Sequence, residues 1–66
     1  MAVDLKILRI KKGLSQQEMS KQIGISQATI SSWEQGQSIP SGKNIKKLAS
    51  FFGVNADVIF NAIFYN

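Results

Sequence analysis

Apolar positions in this chain recur at helical spacing in short stretches, each opened by a capping residue or closed by a glycine. The first stretch, residues 5 to about 12, has Asp4 near its start and Gly13 at its end. Leu5 and Leu8 share one face of it. Val3, Ile7 and Ile10 form a second stripe on nearly the opposite side. A helix apolar on two faces needs two covers. Ser15 caps the next helix, and Glu18 three residues on completes a capping box. Met19 and Ile23 then lie one turn apart, and Gly24 follows where a helix can end in a left-handed residue. Ser26 caps a third helix that starts at Gln27, and Gly36 closes it. In the loop after it, Ile39 is expected to reach back into the core, and Pro40 disfavours helix at Ile39. Ser41 caps a fourth helix over 42–52, with Ile45, Leu48, Ala49 and Phe52 on one side and Lys43, Lys46, Lys47 and Ser50 on the other. Gly53 ends it, Val54 packs inward, and Asn55 caps a fifth helix over about 56–62, whose Ile59 and Phe60 complete the core.

The third helix carries the functional argument. Stepping roughly 100° per residue from Gln27 puts Gln27, Ser31, Gln35, Ala28 and Ser32 on one arc of about 140°. Thr29, Trp33, Ile30 and Glu34 fill the rest. Ile30 and Trp33 are therefore buried, and the opposite face is small, polar and uncharged. Gln and Ser can hydrogen-bond base edges, and Ala lets a thymine methyl approach. The bland alternative is a surface helix that happens to be rich in Gln and Ser. Two short helices joined by a Gly-containing turn are also the helix-turn-helix signature.

The run from Leu14 to Gly36, LSQQEMSKQIGISQATISSWEQG, followed by Ile39-Pro40-Ser41, resembles the lambda repressor/Cro-like helix-turn-helix family of phage and bacterial regulators. Leu8-Arg9 upstream, and Leu48-Ala49 and Phe52-Gly53-Val54 downstream, also match, so the likeness covers residues 5 to about 60. It implies an all-α, compact five-helix domain with the helix-turn-helix at helices 2 and 3, and helix 3 in the DNA major groove. It implies base contacts from Gln27, Ala28, Ser31 and Ser32, with Gln35 at the margin, and backbone contacts from Gln16, Gln17, Gln37, Ser38 and Lys43. Gln16 is expected to bind a phosphate and buttress Gln27. Arg9 is expected to pair with Glu34, which sits at the edge of the buried arc, as a structural ion pair. Ser20 stands where the family usually has Ala; its hydroxyl can bond back to the Gln16 carbonyl at a small local cost.

Composition narrows the function. Sixty-six residues suffice for one small core, a single DNA-binding domain without a ligand-sensing one. A formal net charge of +4 favours an acidic partner. With no His or Cys and only four acidic residues, each in a cap or pair role, neither catalysis nor a metal site is expected, and no cofactor or small-molecule ligand. Lys11 and Lys12 suit the C-terminus of helix 1 electrostatically. Charges interrupt the N-terminus and no apolar run approaches about 18 residues, so the expected location is the cytoplasm rather than a membrane. The expected partner is double-stranded DNA, bound to repress by occupying a pseudopalindromic operator. The other class of reading is a protein-interaction or antitoxin-like module using the same fold.

Two apolar surfaces remain without a place: the second stripe of helix 1, and Val58, Ile63, Phe64 and Tyr65 near the C-terminus. Residues 61–66 read as an apolar tail. The expectation is that Ile63 and Phe64 fold back over Val3, Ile7 and Ile10, while Val58 and its neighbours make a weak homodimer contact that DNA completes. A frayed tail is the alternative.

Overall fold

The computed structural model describes residues 4–64, so Val3 and Tyr65 of the second-surface argument lie outside the described residues. Among them the chain forms helices only: α1 (Leu5–Lys11), α2 (Gln16–Ile23), α3 (Gln27–Glu34), α4 (Gly42–Phe52) and α5 (Ala56–Phe64). The starts of α1 to α4 are fixed by side chains, whereas at α5 the expected cap Asn55 accepts the Val58 N–H through its backbone carbonyl. Asp4 Oδ1 accepts the Ile7 N–H at 2.8 Å. Ser26 and Ser41 accept from the N–H groups of Thr29 and Asn44 at 3.1 and 3.3 Å. At α2 the capping box is complete: Ser15 Oγ accepts the Glu18 N–H at 3.0 Å, and Glu18 Oε1 accepts the Ser15 N–H at 2.9 Å. Each such cap stabilises its helix by about 0.5–2 kcal/mol.

The ends of α1, α3 and α4 share one device. A left-handed glycine is followed by a residue whose N–H reaches back five residues: Leu14 to Arg9 O at 3.2 Å, Gln37 to Ser32 O at 2.9 Å, and Val54 to Ala49 O at 3.0 Å. In α1 and α4 that following residue is apolar, and Leu14 and Val54 pack on the core. In α3 it is Gln37, which is exposed.

The core is layered across the helices. Met19, Ile30, Leu48 and Ile59, from α2, α3, α4 and α5, are each at most 1% exposed. Leu5, Ile23, Trp33, Ile45 and Ala49 close around them. Truncating such a side chain to Ala costs about 2–5 kcal/mol. The helix-turn-helix pair α2 and α3 is packed on α4 and α1 respectively, and α5 packs on both α4 and α1.

Several expectations need correcting. Ile39 does not reach into the core; it is 60% exposed, and Pro40 is the buried residue of that loop. Phe60 does not complete the core either, being 46% exposed. On a helical wheel Ile59, Ala62 and Ile63 share an arc of about 100°, and Phe60 and Phe64 lie about 60° and 100° beyond its edge. They stack instead on each other in solvent, with ring centroids 5.1 Å apart. The supposed tail is largely helix, since α5 runs through Asn61–Phe64. Ile63 packs on the core of its own chain, but Phe64 stays 46% exposed. Ile10 is left 56% exposed, so the second stripe of α1 is covered only in part, with Ile7 half-buried.

Candidate nucleic-acid interface

The interface candidate is the outer side of α3, and its value depends on how firmly α3 is held. Ile30 and Trp33 anchor the inner side, 1% and 7% exposed. The C-terminal end is tied by a network. Arg9 Nε donates to Glu34 Oε2 at 2.7 Å, and Arg9 Nη2 to Glu34 Oε1 at 3.1 Å. The third guanidinium nitrogen, Nη1, donates to the Leu14 carbonyl at 2.8 Å. One fork thus fastens α1 to α3 and to the turn before α2. The side chains of this pair are only 10% and 5% exposed. The hydrogen bonds from Arg9 to the Glu34 carboxylate raise the guanidinium pKa above its already high ordinary value. The N-terminal end of α3 is set by Ser26, whose hydroxyl also donates to Thr29 Oγ1 at 2.8 Å.

Gln16 joins the network from α2. Its Nε2 donates to Glu34 Oε1 at 3.1 Å. The expected link from Gln16 to Gln27 is not the one made; Gln16 buttresses α3 through Glu34 instead. A Gln at the first turn of α2 gives no sequence signal for this, because its partner lies in the last turn of α3.

On the outer side, Gln27, Ala28 and Gln35 are exposed, and Ser31 and Ser32 are half-buried. Their polar groups are partly engaged with one another. Gln35 Nε2 donates to Ser31 Oγ at 2.9 Å. The hydroxyls of Ser32 and Ser38 lie 2.7 Å apart, bridging α3 to the loop that follows it. That bridge ties a base-reading candidate to a backbone-contacting one, and it exists because the chain doubles back at Gly36. Gln17, Gln37 and Lys43 are exposed on the flanking segments. Glu34 is the only charged side chain of α3, and it faces Arg9. The outer side of α3 is therefore neutral, small in side-chain volume and rich in donors and acceptors, which suits close approach to another hydrogen-bonding surface.

Among the described residues no three of His, Cys, Asp or Glu converge where they could hold a metal ion. Nor is any single helix among them long and apolar enough to cross a membrane.

The five-helix arrangement with α2 and α3 held as a rigid pair defines a helix-turn-helix domain. The chain belongs to the helix-turn-helix family of lambda repressor/Cro-like regulators, whose family model matches residues 5–59. It is 41% identical over 56 residues to an uncharacterized HTH-type transcriptional regulator of Methanocaldococcus jannaschii, covering 85% of either chain. It is 36% identical over 47 residues to the cryptic phage CTXphi transcriptional repressor RstR of Vibrio cholerae, covering 71% of this chain and 42% of that protein. It is 33% identical over 57 residues to the HTH-type transcriptional activator BcrR of Enterococcus faecalis, covering 86% of this chain and 28% of that one. The chain thus spans less than half the length of two of these relatives. No solved structure matches it significantly.

Proposed function

We propose that this chain is a sequence-specific double-stranded DNA-binding transcriptional regulator that seats α3 in the major groove and represses by occupying an operator. The observation that carries the reading is the outer side of α3: neutral, small and hydrogen-bonding, on a helix locked at one end by Ser26 and at the other by Arg9 and Glu34. Such a surface can enter a groove about 12 Å wide and meet base edges without repelling or indiscriminately attracting phosphate.

Gln27 is the principal base reader in this proposal. It is exposed at the N-terminus of α3 and can pair bidentately with adenine N6 and N7. Ala28 offers its methyl to a thymine methyl, and Ser31, Ser32 and Gln35 complete the contact. Gln17, Gln37, Ser38 and Lys43 position the domain on the backbone. Gln16 joins them with the amide hydrogen not given to Glu34, since a carboxamide has two.

A weak homodimer completed on DNA accompanies the proposal, with two α3 helices about 34 Å apart in successive major grooves. The exposed Phe60–Phe64 stack on α5 supports it better than Val58, which is half-buried. Selection of bound sites from random DNA tests the whole reading. A recovered pseudopalindrome with half-sites about one helical turn apart supports it. Enrichment of nothing beyond bulk DNA refutes it and favours the second reading, a protein-interaction or antitoxin-like module, to which the same exposed aromatics lend support.

A further inference from the structure

The two lysines at the end of α1 have a second feature beside them. Leu8, Lys11 and Lys12 of α1 and Phe52 of α4 line a shallow cleft of about 280 Å³. Its floor is apolar, from Leu8 and Phe52, both half-buried. Its rim is cationic, since Lys11 and Lys12 are both exposed. The ammonium of Lys12 sits 5.0 Å from the centroid of the Phe51 ring. Phe51 in turn meets Phe52 edge-on at 5.1 Å. So the ring that floors the cleft, Phe52, abuts Phe51, the ring that faces one of its charges.

We infer that this cleft docks an acidic segment of a partner protein, taking an apolar side chain against Leu8 and Phe52 and flanking carboxylates on Lys11 and Lys12. Three observations commit the occupant to that chemistry. First, the charge is unspent: the only ion pair among the described residues is Arg9–Glu34, so neither lysine has a carboxylate of that set within reach. Second, the space sits at the lower edge of the roughly 300–1,000 Å³ of small-molecule pockets, and its lining is more apolar than polar. Third, the lining joins two apolar side chains, Leu8 and Phe52, to the two cations. A phosphate backbone uses the cations and leaves the apolar lining unmatched, whereas an acidic peptide with one apolar side chain matches both. The cation held over Phe51 also loses less freedom on binding than a free lysine loses. None of the cleft residues belongs to the outer side of α3, so the chain can hold DNA and this partner by separate surfaces, and the inference does not depend on the proposed DNA reading.

The test uses the full chain, isotope-labelled for amide NMR. The probe is a blocked heptapeptide with a central leucine flanked by aspartates, and the control replaces the aspartates by asparagines. The expected result is a set of saturable shifts at Leu8, Lys11, Lys12, Phe51 and Phe52, with Gln27 and Ala28 unmoved and a Kd on the order of 1 mM or tighter. The asparagine peptide and the Lys11→Glu/Lys12→Glu variant should each weaken binding at least about tenfold. Lys11→Gln/Lys12→Gln serves as the milder substitution should charge reversal unfold the domain by circular dichroism. Equal affinity for the two peptides, shifts centred elsewhere, or no binding at all overturns the inference. So does the appearance of the same shifts with phosphatidylglycerol vesicles or with a random DNA duplex but not with the acidic peptide.

Discussion

Removing the carboxylate of Glu34 should bring this domain to the edge of unfolding. One carboxylate there receives three hydrogen bonds, two from Arg9 and one from Gln16. With the pair's side chains 10% and 5% exposed, solvent cannot readily replace them. Glu34→Ala therefore leaves a guanidinium buried with only the Leu14 carbonyl as partner, and an amide donor facing an empty space. Breaking a buried pair from one side costs about 3–5 kcal/mol. At about 0.05–0.15 kcal/mol per residue, a chain of 66 residues has a total stability of roughly 3–10 kcal/mol. The loss is thus between about a third and all of the stability of the fold. At about 4–8 °C per kcal/mol for domains of this size, Tm should fall by roughly 12–40 °C.

The pair itself need not be a large net stabiliser. Arg9→Met/Glu34→Leu removes both charges and keeps the volume, and such swaps are often neutral. The double variant should therefore be more stable than Glu34→Ala, a non-additivity that a double-mutant cycle measures directly. Urea melts followed by circular dichroism and by the buried Trp33 give the free energies. A loss below about 1 kcal/mol for Glu34→Ala, the range of exposed pairs, would refute the argument that this network anchors α3.

Further outcomes are expected at the DNA surface, the capping box and the dimer contact. Gln27→Ala should relax preference at one base pair by about 1–3 kcal/mol, read by repeating the site selection; an unchanged site in both Gln27→Ala and Ser32→Ala means the wrong face was assigned. Salt dependence should be modest, because α3 bears no cationic side chain; a slope implying about eight or more released ions per monomer contradicts the backbone assignment. The Glu18 carboxyl is held below its ordinary pKa chiefly by the Ser15 backbone N–H it accepts. Its capping contribution is then full above the usual carboxylate range and is lost as pH falls through the lowered value. The stability gap between the native chain and Glu18→Ala should accordingly close on acidification, and a gap constant with pH would count against the cap. Phe60→Ser and Phe64→Ser should leave Tm nearly unchanged and weaken cooperative operator binding; a large loss of stability from Phe60→Ser would show that its ring is not solvent-facing.

The elements legible in the sequence are those whose cause is local. Ser15 and Glu18 make their two bonds within four residues of chain, so the start of α2 needs no tertiary information. The same holds for Ser26, Ser41 and the glycines after α1, α3 and α4, and the α4 stripe read as buried is indeed the inner face. Where reading failed, two candidates at adjacent positions competed for one place, and tertiary geometry chose. Ile39 and Pro40 are neighbours in one loop, the first exposed and the second buried. The Gln37 N–H bond five residues back to Ser32 closes α3 and starts that loop, in which Pro40 is the buried residue. Hydrophobicity favoured Ile39, but phase decides burial. Phe60 was misjudged for the same reason one helix later, since Ile59, Ala62 and Ile63 already fill the arc that α4 and α1 can cover.

Gln16 illustrates a different limit. Its contact with Glu34 spans 18 residues, and it depends on Arg9 having already turned the carboxylate toward α2. A polar side chain can be assigned a surface from periodicity, but its partner follows only from which acceptor lone pairs a third residue leaves free. The α3 outer side was visible as a class of surface, because its composition is uniform around the arc. The pairing of Gln35 with Ser31 and of Ser32 with Ser38 was not visible, and it bears on recognition. Two of the hydroxyls proposed to read bases are already oriented by neighbours before any DNA arrives. Pre-oriented groups give up less entropy on binding and tolerate fewer alternative partners, so specificity should concentrate where the side chains are free, at Gln27 and Ala28, and stringency where they are bonded.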